Sequence, residues 1–86
     1  MKSNKQYKTK VVVNRNPNGT IRADFSNGNT VILDGHILRQ YTRSENELSN
    51  PRSIDSGSKA NAKIFFNGLV NKAVIDFTKS NVKLPL

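Results

Sequence analysis

The residues best suited to chemistry are cations near the start of the chain and on a later strand-like stretch. Residues 1–22 carry no acidic side chain and six cations: Lys2, Lys5, Lys8, Lys10, Arg15 and Arg22. Farther along, Arg39, Tyr41 and Arg43 alternate, so an extended strand would place an aromatic ring between two guanidinium groups on one face. Such cations attract phosphates, and an aromatic ring stacks on a nucleobase. We therefore predict that these residues bind nucleic acid.

The same residues also have a purely structural explanation. Lysines at alternate positions of an edge strand prevent sheets from pairing edge to edge, and Tyr41 can pack on its own sheet. The sequence has no helix-turn-helix, zinc-finger or RNP signature. The prediction of a nucleic-acid partner therefore depends on the sign and the placement of the charge.

His36 and Asp34 are the candidates for acid–base chemistry. His36 would act as a general base oriented by the Asp34 carboxylate, with Arg39 as a phosphate clamp. However, Asp34-Gly35 is also a common turn sequence, and the two side chains need not meet across the glycine. We therefore predict a protein that is not an enzyme. With one histidine and no cysteine in the sequence, we expect neither a metal nor a cofactor.

Composition limits the class of protein and of partner. The chain has 86 residues, a formal charge of +8 and 35% hydrophobic residues. This length and composition predict one small domain with a modest core. That size makes a homo-oligomer or a bound partner plausible, and the charge favours polyanions. No signal peptide or membrane span is recognisable, so we expect a cytoplasmic protein with no membrane partner. Twelve asparagines and nine lysines suggest an AT-rich coding source such as a bacterium or phage.

The first half of the chain is patterned as an antiparallel β-meander between Tyr7 and Leu33. Two similar turns, Pro17-Asn18-Gly19 and Ser26-Asn27-Gly28, are typical of three-residue hairpin loops with glycine in the left-handed region. Since a one-residue slip moves every side chain to the other face, the loop length can be tested by the pairing it produces. Three-residue loops pair apolar residues throughout: Val13 with Ala23, Val11 with Phe25, Ala23 with Val31 and Ile21 with Leu33.

Around this meander we predict a basic arm, a fourth strand and a loop. Residues 1–6 are polar and charged, which indicates a disordered arm before a single domain at 7–86. After a turn at Asp34-Gly35, residues 36–42 can form a strand. Residues 44–61 are polar and rich in turn formers, and we predict a flexible loop there.

The last third of the chain permits two interpretations. Apolar residues follow helical spacing from Ala62 to Phe77, with Ser58 as a possible N-cap. Asn67-Gly68 and the pair Val74-Ile75 instead favour a short helix capped by Gly68 and followed by a strand. Over 62–78 the sequence thus predicts either one helix or a helix plus a strand. The predicted fold is α+β, an antiparallel meander of three or four strands with a C-terminal helical segment; the alternative is a small all-β sandwich or barrel.

Two functions follow from these predictions. The first is a small non-enzymatic nucleic-acid-binding protein that makes electrostatic contacts through its basic arm and a β face. The second is a protein-interaction module, such as a small inhibitor or assembly factor of a phage or mobile element. It would act through the apolar helix, the 44–61 loop or the C-terminal tail.

Overall fold

The protein forms one open six-stranded sheet covered on one face by a single helix, as seen in a computed structural model. The structure describes residues 9–44 and 47–86, and the backbone alone for 43, 44 and 47–51. The predicted arm at 1–6 lies outside the described residues. The elements are β1 Lys10–Arg15, β2 Ile21–Phe25, β3 Asn29–Asp34, β4 Ile37–Ser44, β5 Glu47–Asp55, α1 Lys59–Asn71 and β6 Val74–Ile75. The sheet order is β5-β4-β3-β2-β1-β6.

The predicted register of the meander is confirmed. Val11 pairs with Phe25, Val13 with Ala23, and Ile21 with Leu33. The first loop is closed by the Asn16 N–H, which donates to the Thr20 carbonyl at 2.8 Å. Gly19 has φ +93° and Gly28 has φ +98°, a conformation that glycine adopts without the cost of a Cβ. Two three-residue loops therefore bring the apolar sets to one face.

Strand β5 corrects the prediction of a loop at 44–61. Its residues pair antiparallel with β4, from Ile37 opposite Asp55 to Ser44 opposite Glu47. The register shifts between Gln40 and Thr42, opposite Asn50 and Pro51. A bulge tolerates proline because the missing N–H is not needed in the ladder there. The strand was missed because it is polar and pairs with β4 rather than following an apolar period of its own.

The last third of the chain is a helix followed by a very short strand. Ser58 is the N-cap, as predicted, and its hydroxyl accepts a hydrogen bond from the Asn61 N–H. The helix continues through Gly68 to Asn71, so the predicted cap at Gly68 is wrong. The two residues Val74 and Ile75 then pair in parallel with β1. The α+β class is confirmed, with more strands than predicted, and the all-β alternative is wrong.

The core lies between α1 and the face of the sheet that carries Val11, Val13 and Ala23. From the helix, Ala62, Phe66 and Val70 are buried in it. The 76–86 segment completes the core by running beside β1. There the Ser80 hydroxyl accepts from the Val13 N–H, and Val82 is buried with the other core residues. The segment thus covers the edge of β1 beyond β6.

Candidate functional site

On the sheet face opposite the helix, the predicted phosphate ligand Arg22 already has an anionic partner. Its Nε lies 2.9 Å from Asp24 Oδ1, and both side chains are about one third exposed. The buried Thr30 hydroxyl donates to the same carboxylate oxygen at 3.0 Å. This carboxylate therefore neutralises Arg22 and competes with any phosphate.

The predicted row of Arg39, Tyr41 and Arg43 is interrupted in the same way. Arg39 Nη1 lies 3.0 Å from Asp34 Oδ2. Tyr41 is half-buried and is paired with Thr30 across the β3–β4 ladder. The Arg43 side chain lies outside the described residues. Of these three residues, Tyr41 is the one whose side chain is described and is not held in an ion pair, so it alone could contact a base on this face.

The basic arm enters the fold at β1. Lys2, Lys5 and Lys8 lie outside the described residues, while Lys10 is exposed at the start of the strand. The prediction of a free edge strand is wrong for Lys10. β1 has β2 on one side, and on the other side it has β6 and the 76–86 segment. The prevention of edge-to-edge sheet association therefore does not explain why a lysine occupies position 10.

A cluster of cations that the sequence analysis largely missed lines a cavity beside the start of α1. We call this the cationic cavity. It has a volume of about 550 Å³, and its charged lining is Arg15, Asp34, Lys59, Lys63 and Lys83. Lys59 and Lys63 are four residues apart and therefore share one flank of the helix. Arg15 ends β1, and Lys83 comes from the 76–86 segment that runs beside β1.

The charge of the cationic cavity is largely uncompensated. Among described side chains the ion pairs are Arg22–Asp24, His36–Asp55 and Arg39–Asp34. None of them involves the four cations of the cavity. Among the described lining residues, the one acidic side chain is that of Asp34, which binds Arg39. Four positive charges thus face a concave surface with one engaged negative charge, and their mutual repulsion would be relieved by a bound anion.

Sequence reasoning had a signal for only part of this cavity. Arg15 was among the predicted residues, and the Lys59/Lys63 spacing is visible once a helix is assumed. Lys83 could not be placed, since its position depends on hydrogen bonds between the 76–86 segment and β1. One of these is the bond from the Arg15 N–H to Asn81 Oδ1 at 2.8 Å.

A second cavity, of about 460 Å³, lies along the other flank of α1, near its end. We call it the amide cavity because carboxamides contribute much of its polar wall. Its lining includes Asn27, Asn29, Gln40, Phe25, Leu69, Ala73, Arg52 and Lys72. Tyr41 and Thr9 also line it.

The geometry around His36 differs from the proposed acid–base pair. His36 Nε2 lies 3.6 Å from Asp55 Oδ1, and both side chains are at least half exposed. Asp34, the predicted orienting carboxylate, is bonded to Arg39 instead. Neither His36 nor Asp55 lines either of the two cavities described above.

Over 9–44 and 47–86, no three His, Cys, Asp or Glu side chains gather as metal ligands would. Within that part of the chain, no helix has the length and apolar character needed to cross a membrane. Comparison with protein-family models, curated proteins and solved structures finds no match for this chain.

Proposed function

We propose that this is a non-enzymatic nucleic-acid-binding protein of the cytoplasm that holds the phosphate backbone mainly at the cationic cavity. The observation that carries the proposal is the convergence of Arg15, Lys59, Lys63 and Lys83 on one concave surface without ion-pair partners among described side chains. The sheet face opposite the helix is a poorer site because Arg22 and Arg39 are held by carboxylates.

The mechanism is the release of counterions from the phosphates. If each of the four cations meets one phosphate, the plot of log affinity against log salt has a slope of about −3.6 for duplex DNA and about −2.8 for a single strand. Lys2, Lys5 and Lys8 increase the attraction over a longer range, which raises the association rate. Binding should therefore weaken steeply with added salt.

The first experiment measures fluorescence anisotropy of labelled single- and double-stranded DNA and RNA at two salt concentrations. The test variant is Lys59→Gln/Lys63→Gln, since both lysines are exposed and glutamine keeps the helix propensity. The control is Lys10→Gln/Lys79→Gln, which removes the same charge from exposed lysines outside the cavity.

We expect the Lys59/Lys63 variant to lose about tenfold in affinity at low salt and its salt slope to fall by about 2. The Lys10/Lys79 control should lose clearly less. Equal losses would mean that net charge alone attracts the polyanion and would overturn the assignment to the cavity. No binding by the unmodified protein at low salt would overturn the proposed function.

A protein-interaction module is the second candidate, and exposed aromatic rings favour it. Phe65 is 54% exposed and Phe77 is 67% exposed, so part of the predicted apolar stripe lies outside the core. Burying such rings against another protein would be favourable, and a second copy of this chain is the first partner to test. This module would be an inhibitor or assembly factor of the kind that phages and mobile elements encode.

Sedimentation equilibrium separates this candidate from the first. If the rings form a self-interface, the protein should dimerise, and Phe65→Gln/Phe77→Gln should return it to the monomer. Deletion of residues 2–8 should leave the dimer intact. A monomer at every concentration tested would contradict the self-association.

A further inference from the structure

We infer that the amide cavity takes one unpaired nucleobase, with the adjacent phosphate held by Arg52 and Lys72, so that the preferred ligand is a single strand. This inference rests on the proposed function and names the ligand class more closely. The cavity is about 460 Å³, within the range of small-molecule sites in proteins.

The apolar wall of the amide cavity suits the flat face of a base. Phe25, Leu69 and Ala73 line it and are only partly buried, although they pack against the core. A ring such as that of Phe25 can stack on any base because every base has a π-face. A base inserted here would therefore cover apolar surface that water now contacts.

The polar wall suits the edge of a base. The side chains of Asn29 and Gln40 line the cavity, and within the described part of the chain neither makes a hydrogen bond. A carboxamide offers a donor and an acceptor side by side, which matches the edges that unpaired bases present. Asn27 Oδ1 is engaged, since it accepts from the Asn29 N–H at 3.0 Å and fixes the turn.

The cations are placed for a phosphate beside that base. The sheet register sets Val31, Gln40 and Arg52 in one row across three strands, with neighbours about 5 Å apart. Apolar, amide and guanidinium groups therefore follow one another across three neighbouring strands. Lys72, the C-cap that follows the helix, also lines the cavity, and no described carboxylate pairs with Arg52 or Lys72.

A duplex does not meet these requirements. Its bases are stacked and paired, so their flat faces and Watson–Crick edges are not available to a cavity between a helix and a sheet. Thr9 lines the same cavity. The cationic cavity, on the other flank of α1, would hold phosphates farther along the strand.

The test is an NMR titration of the isotope-labelled full chain with the four 5′-mononucleotides, with ribose 5-phosphate as the probe that lacks a base. We expect saturable shifts at Asn29, Gln40 and Ala73 with mononucleotides, and at least tenfold weaker binding of the sugar phosphate. Gln40→Ala should weaken the preferred mononucleotide about fivefold. Asn71→Ala is the matched control, because this exposed amide lies outside the cavity lining.

Three results would overturn the inference. They are equal binding of ribose 5-phosphate and mononucleotides, shifts confined to residues outside the amide cavity, and an unchanged affinity in Gln40→Ala. Each of these leaves the proposed function standing if the Lys59/Lys63 variant still loses polyanion binding. Conversely, mononucleotide binding without any polyanion binding would retain the base site and remove the nucleic-acid function.

Discussion

Asn67 and Leu86 exchange two hydrogen bonds across 19 residues of chain: the Leu86 N–H donates to Asn67 Oδ1 at 3.0 Å, and Asn67 Nδ2 donates to the Leu86 carbonyl at 3.4 Å. This contact joins the middle of α1 to the 76–86 segment. Leu86, Pro85 and Lys83 all line the cationic cavity, so the contact also shapes its wall.

Asn67→Ala should therefore destabilise the protein by about 1–2 kcal/mol, since two partly buried hydrogen bonds are lost. For a chain of this size the melting temperature should fall by about 5–10 °C. The measurement is thermal unfolding followed by circular dichroism. Asn71→Ala on the same helix gains the same helix propensity without losing a described hydrogen bond, and it should not lower the melting temperature. Equal melting temperatures for the two variants would contradict the role of Asn67.

Gly68→Ala should have the opposite effect. Gly68 lies within the helix, and an added Cβ would find no atom within 4 Å. Alanine there should raise stability by about 0.5–1 kcal/mol, because it loses less backbone entropy on folding. Gly19→Ala is the control: its Cβ also meets open space, but its φ of +93° is strained for alanine, so it should destabilise. Urea unfolding of both variants measures the change in the free energy of unfolding, which should be an increase for Gly68→Ala and a decrease for Gly19→Ala.

These two residues show what sequence patterns convey and what they omit. Asn67-Gly68 resembles a helix stop, because both residues have low helix propensity and favour turns. The structure continues the helix because Phe66 and Val70 are buried on either side of the pair. Tertiary packing here outweighs local propensity. The side chain of Asn67 then forms hydrogen bonds with the backbone of Leu86, which comes near only when the 76–86 segment has folded.

The meander could be predicted because its information is local. In a hairpin, loop length and side-chain alternation fix the register together, and the pairs of Val11 and Val13 follow. Strand β5 has no such local signal. It forms on the outer edge of β4 despite Pro51, and its polar residues match those of an irregular loop. The fold was thus predictable where each strand has its own apolar period.

The candidate site was predictable only in part for a related reason. A sequence gives the sign of a charge but not its partner, and Arg22 and Arg39 are paired through side chains close to them in space. Arg15 and Lys83 come together only after the 76–86 segment has passed β1. The residues that line a cavity come from segments far apart in the sequence, so the spacing of residues along the chain does not indicate them.

Acid should weaken the turn that starts the 76–86 segment. The Thr78 hydroxyl donates to Asp76 Oδ1 at 2.6 Å, and this bond, with the Lys79 and Thr78 amides, holds the pKa of Asp76 below its ordinary value. A carboxylate whose pKa is lowered by folding stabilises the protein above its unfolded-state pKa. That contribution is lost as the pH falls through the folded-state pKa.

Thr78→Val should raise the pKa of Asp76 toward its ordinary value and reduce the acid-dependent part of stability. The readouts are NMR titration of the Asp76 carboxyl carbon and urea unfolding at neutral and acidic pH. Thr20→Val is the control, because its hydroxyl donates to the neutral Asn18 amide at 2.7 Å and removing it should leave the pH dependence unchanged. An unmoved Asp76 pKa in Thr78→Val would refute the assigned cause.

Replacing Asp34 tests the cationic cavity by strengthening its attraction for phosphate, whereas replacing a lysine weakens it. Asp34 is the carboxylate in the described wall of that cavity, beside Arg15, Lys59, Lys63 and Lys83. Asp34→Asn removes one negative charge there and releases Arg39 from its ion pair. At about 6 Å in water, one unit charge changes the energy of a phosphate by about 0.7 kcal/mol, so affinity should rise about threefold at low salt.

The matched variant is Asp55→Asn, which changes the net charge equally. Asp55 lies on β5 near His36 and does not line the cavity. If the cavity holds the phosphate, Asp34→Asn should raise the affinity more than Asp55→Asn at both salt concentrations, because of the two carboxylates only Asp34 lines the cavity. Titration of both variants at two salt concentrations decides the matter. Equal gains at both concentrations would show that polyanions respond to total charge and that the cavity has no special part in binding them.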